Sequence, residues 1–390
     1  MTDWSSRLVP LARDLPPSGI RRFFDLAATM EDVISLGVGE PDFVTPWHIR
    51  EAGLYALERG MTTYTANAGL LALRQAIARY LERRFTLRYA PEGELLVSVG
   101  GSEAIDLALR VLVRPGDRVL IPEPTYVAYT PLVRLAGGEP VHVPLRADEG
   151  FRLTASDLHQ AVVASGARLL IWCNPNNPTG AVVDRRQLSA LAEVAEQHDL
   201  AVISDEIYAE IVYGADYGSL AQVAEMRERT VLVGGFSKAF AMTGWRLGYA
   251  AGPEPVIRAM LKVHQYAMLC APVMAQVAAV EAIERGLQDV AEMVDEYDRR
   301  RRFIVYALRD MGLACSDPGG AFYAFPDIRS TGLTSVQFAE DLLVHAKVAV
   351  VPGSVFGPSG EGFVRCSYAA AINQLERAMT RLRGFLQAGG

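Results

Sequence analysis

RLLIWCNPNNPTGAVVDRRQLSALAEVAEQHDLAVISDEIY occupies residues 168–208 and carries the pattern that decides the fold. It opens on one apolar run, RLLIWC (168–173), and closes on another, LAVIS (200–204), with the amphipathic stretch RQLSALAEVAEQH (186–198) between them. Apolar runs without alternation read as strands buried on both faces, and a helix joining two of them makes a parallel strand–helix–strand unit. The strand pattern recurs in ELLVSV (94–99), DRVLIP (117–122), TVLVGG (230–235) and LGYAAG (247–252). SEAIDLALRVLV (102–113) and YVAYTPLVRLAG (126–137) read as helices. The middle of the chain is therefore expected to be α/β, a mostly parallel sheet with helices on each side.

Outside that middle the pattern changes. From about residue 272 to Met311 the chain reads as long helices. A smaller α+β segment follows: GAFYAFP (320–326), a helix near 334–346, VAVVPG (348–353), GFVRCSY (362–368) and a last helix. The first ~45 residues are punctuated by Pro and Gly, show no sheet pattern, and are expected to pack with that C-terminal part.

Composition narrows the function classes. At 390 residues, half of them hydrophobic, the chain is long enough for a substantial core. A net charge of −7 gives no electrostatic footprint for nucleic acid or an anionic membrane. The stretch MTDWSSRLVPLARDLPPSG lacks the apolar run of a signal peptide, and no later stretch is apolar for long enough to span a bilayer. Cys173, Cys270, Cys315 and Cys366 form no CxxC pair and read as buried, reduced thiols of a cytoplasmic protein. Histidines 48, 142, 159, 198, 264 and 345 fall at no metal-ligand spacing. No phosphate-loop motif is present, and GVGEPD (37–42) carries Asp42 where a dinucleotide fingerprint needs its third glycine.

Three stretches carry chemistry. SDEIYAEIVYG (204–214) puts Asp205 and Glu206 at the end of a buried strand, a costly place for a carboxylate unless a cation meets it. VSVGGSEAIDLAL (97–109) runs from strand through Gly-Gly into a helix starting at Ser102, whose free Ser102, Glu103 and Ala104 amides form an anion site. Taken alone, that reads more readily as an ordinary serine-capped turn. GGFSKAFAMTGWRLGY (234–249) places Lys238 after a buried strand with Arg246 eight residues on. A neighbouring cation disfavours the protonated lysine, and a neutral lysine forms a Schiff base with an aldehyde. Ser237 and Arg246 suit a phosphate. Ser237 also stands in a near match to the nucleophile elbow of serine hydrolases, with the second glycine missing.

These residues resemble the lysine signature of pyridoxal-phosphate (PLP) aminotransferases of fold type I, class I/II. SLGVGEPDFVTP (35–46), YTANAGLLALRQAIA (64–78), GGSEAI, PEPTYVAY, NPNNPTG (174–180), SDEIY, PGGAFYAFP and VPGSVFG stand in the family's order along nearly the whole chain. The resemblance implies a large PLP-binding domain at 46–289 with a mostly parallel seven-stranded sheet. It also implies a smaller α+β domain from 1–45 and 290–390, and a homodimer with composite sites. Lys238 is implied as the Schiff-base lysine and proton shuttle, and Asp205 as partner of the protonated pyridine nitrogen. Tyr208 and Asn177 would bind the ring's 3-oxygen, and Tyr126 would stack on the ring. Gly101, the Ser102 and Glu103 amides, Ser237 and Arg246 would hold the phosphate, with Tyr64 reaching in from the partner subunit. Arg365 would grip the substrate α-carboxylate with help from the Gly39 amide, and Glu206 is left structural.

The implied reaction is a ping-pong transfer of an amino group between an amino acid and a 2-oxo acid. Glu103 stands where one aspartate-specific branch of the family has lysine, and HQYAMLCAPVMAQ (264–276) contains no cation where another supplies arginine. A neutral, aromatic or bulky aliphatic donor is therefore expected. An aspartate aminotransferase and a PLP-dependent C–S lyase remain open, with a serine hydrolase or a non-catalytic ligand-binding module further off. Glutamate or 2-oxoglutarate would call on a mobile arginine such as Arg21 or Arg22.

Overall fold

Asp184 begins the helix between the two diagnostic strands by accepting from the Gln187 amide at 2.9 Å, while the Gln187 side chain answers the Asp184 amide. This reciprocal cap satisfies donors that the first helical turn leaves unpaired. The helix runs Arg185–Gln197 and buries Leu188, Leu191, Ala192, Val194 and Ala195 on one face. In the computed structural model, which describes residues 3–17, 19 and 30–388, that face packs with Leu170, Trp172 and Val202 of the flanking strands. Alternate residues of the same strands, Ile171 and Ile203, point into the other core. A sheet buried on both faces explains the unbroken apolar runs.

The strands in chain order are β1 (Ile34–Ser35), β2 (Leu95–Ser98), β3 (Arg118–Glu123), β4 (Glu139–Pro144), β5 (Leu169–Cys173), β6 (Ala201–Asp205), β7 (Thr230–Gly235) and β8 (Gly248–Ala251). Four short ones follow: β9 (Tyr323–Ala324), β10 (Val348–Ala349), β11 (Val351–Pro352) and β12 (Val364–Ser367). The main sheet has seven strands in the order β2-β8-β7-β6-β5-β3-β4. Strands β4, β3, β5, β6 and β7 are parallel, and only β8 runs against its neighbours. Six of these strands coincide with the apolar runs. The seventh, β4, is EPVHVP, an edge strand with only Val143 buried, and two prolines and a histidine mask it. Proline tolerates an edge because no ladder partner there needs its missing N–H.

The N-terminal segment does carry a strand, contrary to the sequence expectation. β1 pairs in parallel with β10, so residues 34–35 join the C-terminal part. Two residues are too few to leave a periodic signal. A three-stranded antiparallel sheet, β11-β12-β9, completes that region. The 24-residue helix Leu287–Asp310 runs alongside, and its buried Arg300 grips both oxygens of Asp42 at 2.8 and 2.9 Å. Among the described residues no helix is long and apolar enough to cross a membrane. Arg21 and Arg22 lie outside the described residues.

Candidate active site

The parallel strands end side by side, with Cys173 opposite Asp205 and Asp205 opposite Val233. The loops leaving those ends close around one cavity of about 270 Å³, near the lower bound for small-molecule sites. Its walls include Gly39, Gly101, Ser102, Tyr126, Asn177, Asp205, Tyr208, Ser237, Lys238, Arg246 and Arg365. Eleven sequence-predicted residues thus converge from positions up to 326 apart. Tyr64 and the Glu103 side chain do not line it. Tyr64 is 81% exposed on the surface. The Glu103 carboxylate folds back beneath the turn to accept from the Val99 amide and meet His264 Nδ1 at 2.7 Å.

The glycine turn after β2 differs from its sequence reading by one residue. The helix starts at Gly101, and Gly100, at φ 87°, occupies the cap position without any side-chain cap. The Ser102 hydroxyl is therefore not spent on capping. The Ala104 amide turns back to the Gly100 carbonyl at 3.4 Å, so the amides ahead of it, not Ala104's own, are the unpaired ones. A Cβ at Gly100 would lie 2.7 Å from Arg246 Nη2, so glycine lets that guanidinium reach the turn. Arg246 itself sits in left-handed backbone at φ 53°, an uncommon conformation for a non-glycine residue.

Three cations line the cavity against one carboxylate, Asp205. Lys238 Nζ donates to the Gly39 carbonyl at 2.7 Å. Burial lowers the lysine to about 8, Arg365 and Arg246 push the same way, and Glu40 and Asp205 oppose. Burial, not the neighbouring cation expected from sequence, is the leading cause. Asp205 accepts from Tyr129 Oη at 2.6 Å and from the Ile207 amide at 3.2 Å. Burial raises its proton affinity while those donors and Lys238 lower it. Tyr208 shares a 2.8 Å hydrogen bond with Tyr323.

Arg365 is 2% exposed and has only neutral acceptors, Asn177 Oδ1 at 2.9 Å and the Gly37 carbonyl at 2.6 Å. Its Nε is buried without a partner among the described residues. A buried cation with no anion is expensive, which marks the site as one completed by an anionic ligand. The donor set fits PLP with an amino acid: hydroxyls, unpaired amides and Arg246 for a phosphate, Lys238 for an aldehyde, and Arg365 for a carboxylate.

Comparison with known proteins agrees. The family model for aminotransferase class I and II matches residues 31–382. This chain belongs to the class I and II aminotransferases. It is 58% identical to a putative aminotransferase, YugH, of Bacillus subtilis, over 98% of this chain and 99% of that protein. It is 48% identical to an aspartate aminotransferase of Pyrococcus abyssi, over 95% and 96%. The crystal structure of an aromatic aminotransferase from Pyrococcus horikoshii superposes with a TM-score of 0.90 at 46% identity, covering 95% of this chain and 99% of that one. The protein is thus a PLP-dependent aminotransferase of fold type I.

Sequence reasoning missed Tyr323, Thr243, Ile105, Cys173 and Ile207 in the wall, and Tyr129 behind it. Tyr129 lay within a predicted helix and Tyr323 within the run GAFYAFP, and nothing in either stretch singled them out. The hydrolase reading of Ser237 lacks a histidine partner, since no histidine lines the cavity among the described residues. Cys173, Cys315 and Cys366 are buried free thiols as expected, whereas Cys270 is only half-buried.

Proposed function

We propose that the cavity transfers an amino group from a neutral, aromatic or bulky aliphatic amino acid to a 2-oxo acid, with Lys238 as the reactive amine. The observation carrying this reading is the charge inventory of the wall, Lys238, Arg246 and Arg365 against Asp205. Arg246, Ser237, Ser102 and the unpaired amides of the Gly101 turn bind the phosphate. Asp205 holds a proton on the pyridine nitrogen. Asn177, whose oxygen is taken by Arg365, turns its NH2 to the ring oxygen together with Tyr208. Tyr126 covers the ring, and Arg365 with Gly39 orients the α-carboxylate. Bound there, PLP supplies an electron sink for the carbanion at the substrate Cα. Lys238 Nζ would take the Cα proton and deliver it to the cofactor's C4′, work suited to an amine near 8.

Once Arg246 and Arg365 meet phosphate and carboxylate and Lys238 is taken up by the reaction, no cation of the described wall is left for a distal carboxylate. Burying one unpaired costs several kcal/mol. The relatives' names divide between aspartate and aromatic substrates, so measurement decides. The expected result is higher kcat/KM for phenylalanine, leucine or methionine than for aspartate. Aspartate leading by more than about tenfold would overturn the substrate reading.

The same reading takes the protein as a cytoplasmic homodimer, with 46–289 as the large domain and 1–45 plus 290–390 as the small one. The β1–β10 pairing supports the domain division. Exposed Trp47, Tyr64, Tyr266 and Met268, at 57, 81, 88 and 51%, support a dimer in which Tyr64 completes the other subunit's phosphate site.

A further inference from the structure

We propose that Tyr129 is a positioning residue of the reaction, fixing the Asp205 carboxylate through its hydroxyl and the Tyr126 ring through its own ring edge. Tyr129 opens the short helix Tyr129–Leu135, one turn after Tyr126, and its amide donates to the Tyr126 carbonyl at 3.2 Å. The side chain is fully buried. Its Oη donates to Asp205 Oδ2 at 2.6 Å, and its ring meets Tyr126 edge-on, with centroids 5.5 Å apart and planes at 82°. One residue therefore touches both the acid and the aromatic that face the cofactor from different strand ends. The inference rests on the assignment of Asp205 to the pyridine nitrogen.

The hydroxyl has an electrostatic consequence. Every group near Asp205 takes a side: burial favours the neutral acid, while Tyr129, the Ile207 amide and the Lys238 charge favour the carboxylate. Cys173, across the strand pair, is a neutral thiol whose own ionisation burial opposes. Glu206, next in sequence, turns to Ser204, Ser219 and Tyr217 instead. Tyr129 is thus the one side-chain donor to this carboxylate among the described residues. Without it Asp205 becomes a stronger base, and the proton needed on the ring nitrogen is drawn back to the carboxylate. The carboxylate also loses one of the two hydrogen bonds that fix its orientation.

Tyr129→Phe keeps the ring edge and removes only the hydroxyl. In the full-length holoenzyme kcat is expected to fall about ten- to a hundredfold, the range for losing a hydrogen bond to a charged group, with KM for the donor changed far less. The pH dependence of the bound cofactor's absorbance is expected to shift, and cofactor retention during dialysis to weaken. Tyr129→His, a ring that still carries an N–H donor, is expected to recover much of both signals. A Tyr129→Phe enzyme unchanged in kcat and absorbance titration would overturn the proposal. So would a Tyr129→His enzyme no better than Tyr129→Phe, since restoring a donor would then restore nothing. Asp205→Asn in the same assays reports separately on the Asp205 assignment: wild-type behaviour there would sink that reading whatever Tyr129 does.

Discussion

Arg365 donates through Nη1 to the side-chain oxygen of Asn177 at 2.9 Å, tying β12 to the loop after β5. The same guanidinium lies 4.4 Å from the Tyr323 ring centroid and 4.9 Å from that of Phe356. A planar cation so held presents its remaining edge as a fork, which a lysine cannot reproduce. Arg365→Lys is therefore expected to lower kcat/KM for the amino donor about a hundredfold, mainly through KM. Cofactor titration should be unchanged, because the proposed phosphate site does not involve this residue. Equal loss of cofactor and substrate binding would count against it.

Lys238 divides covalent chemistry from cofactor retention. Lys238→Ala should have no measurable turnover yet still bind cofactor through Arg246, Ser237 and the helix terminus. In the wild-type apoenzyme the amine is charged below about 8 and free above it. Its folded-state affinity for protons lies under the ordinary 10.5, so the burial cost is present below pH 8 and is relieved between 8 and 10.5. Covalent capture of cofactor should accelerate as pH rises through about 8. Stopped-flow absorbance is the check, and an inflection near 10.5 would contradict a buried amine.

Glu206 is a buried acid outside the described cavity wall. Ser204, Ser219 and Tyr217 donate to it at 2.9, 2.6 and 2.8 Å. Burial pushes it up to about 7 despite those donors, with Asp205 adding to the rise. The fold keeps this proton while the unfolded chain gives it up near 4.5. Its stabilisation is therefore full below 4.5 and lost as pH rises through 7. Relative to Glu206→Gln, the wild-type Tm should fall by about 2 °C or more between pH 5 and 8. Parallel Tm curves for the two proteins would refute a buried titrating carboxyl.

The central sheet was legible because burial on both faces writes unbroken apolar runs, as in Leu169–Cys173. β4 was not, because an edge strand needs little burial and tolerates Pro140 and Pro144. The convergence of Lys238, Asp205 and Arg365 on one cavity was legible through the family motifs around them, although without the resemblance Arg365 reads as a surface charge at a strand edge. Tyr129 and the Glu103–His264 pair were not. Their partners lie 76 and 161 positions away, so only the folded chain brings them together. The cause of the Lys238 shift was misjudged for a related reason: the Arg246 charge is visible in sequence, whereas the depth of burial is not.

Gly248 shows how tightly the sheet is fitted to the glycine turn after β2. It opens β8 between Ser98 of β2 and Gly235 of β7. A Cβ there would stand 2.6 Å from Gly100 C and Gly101 N, backbone atoms that cannot swing aside. Gly248→Ala must therefore push the strand and the turn apart, at a cost of about 1–3 kcal/mol for overpacking. Because the displaced atoms include Gly101 N, the first of the unpaired amides, cofactor affinity should fall about tenfold or more alongside a lower Tm. Gly244→Ala is the control, since nothing lies within 4 Å of its would-be Cβ. Cofactor titration and thermal melts of the two variants decide the point. If Gly248→Ala binds cofactor as well as Gly244→Ala does, the turn after β2 does not set the phosphate site.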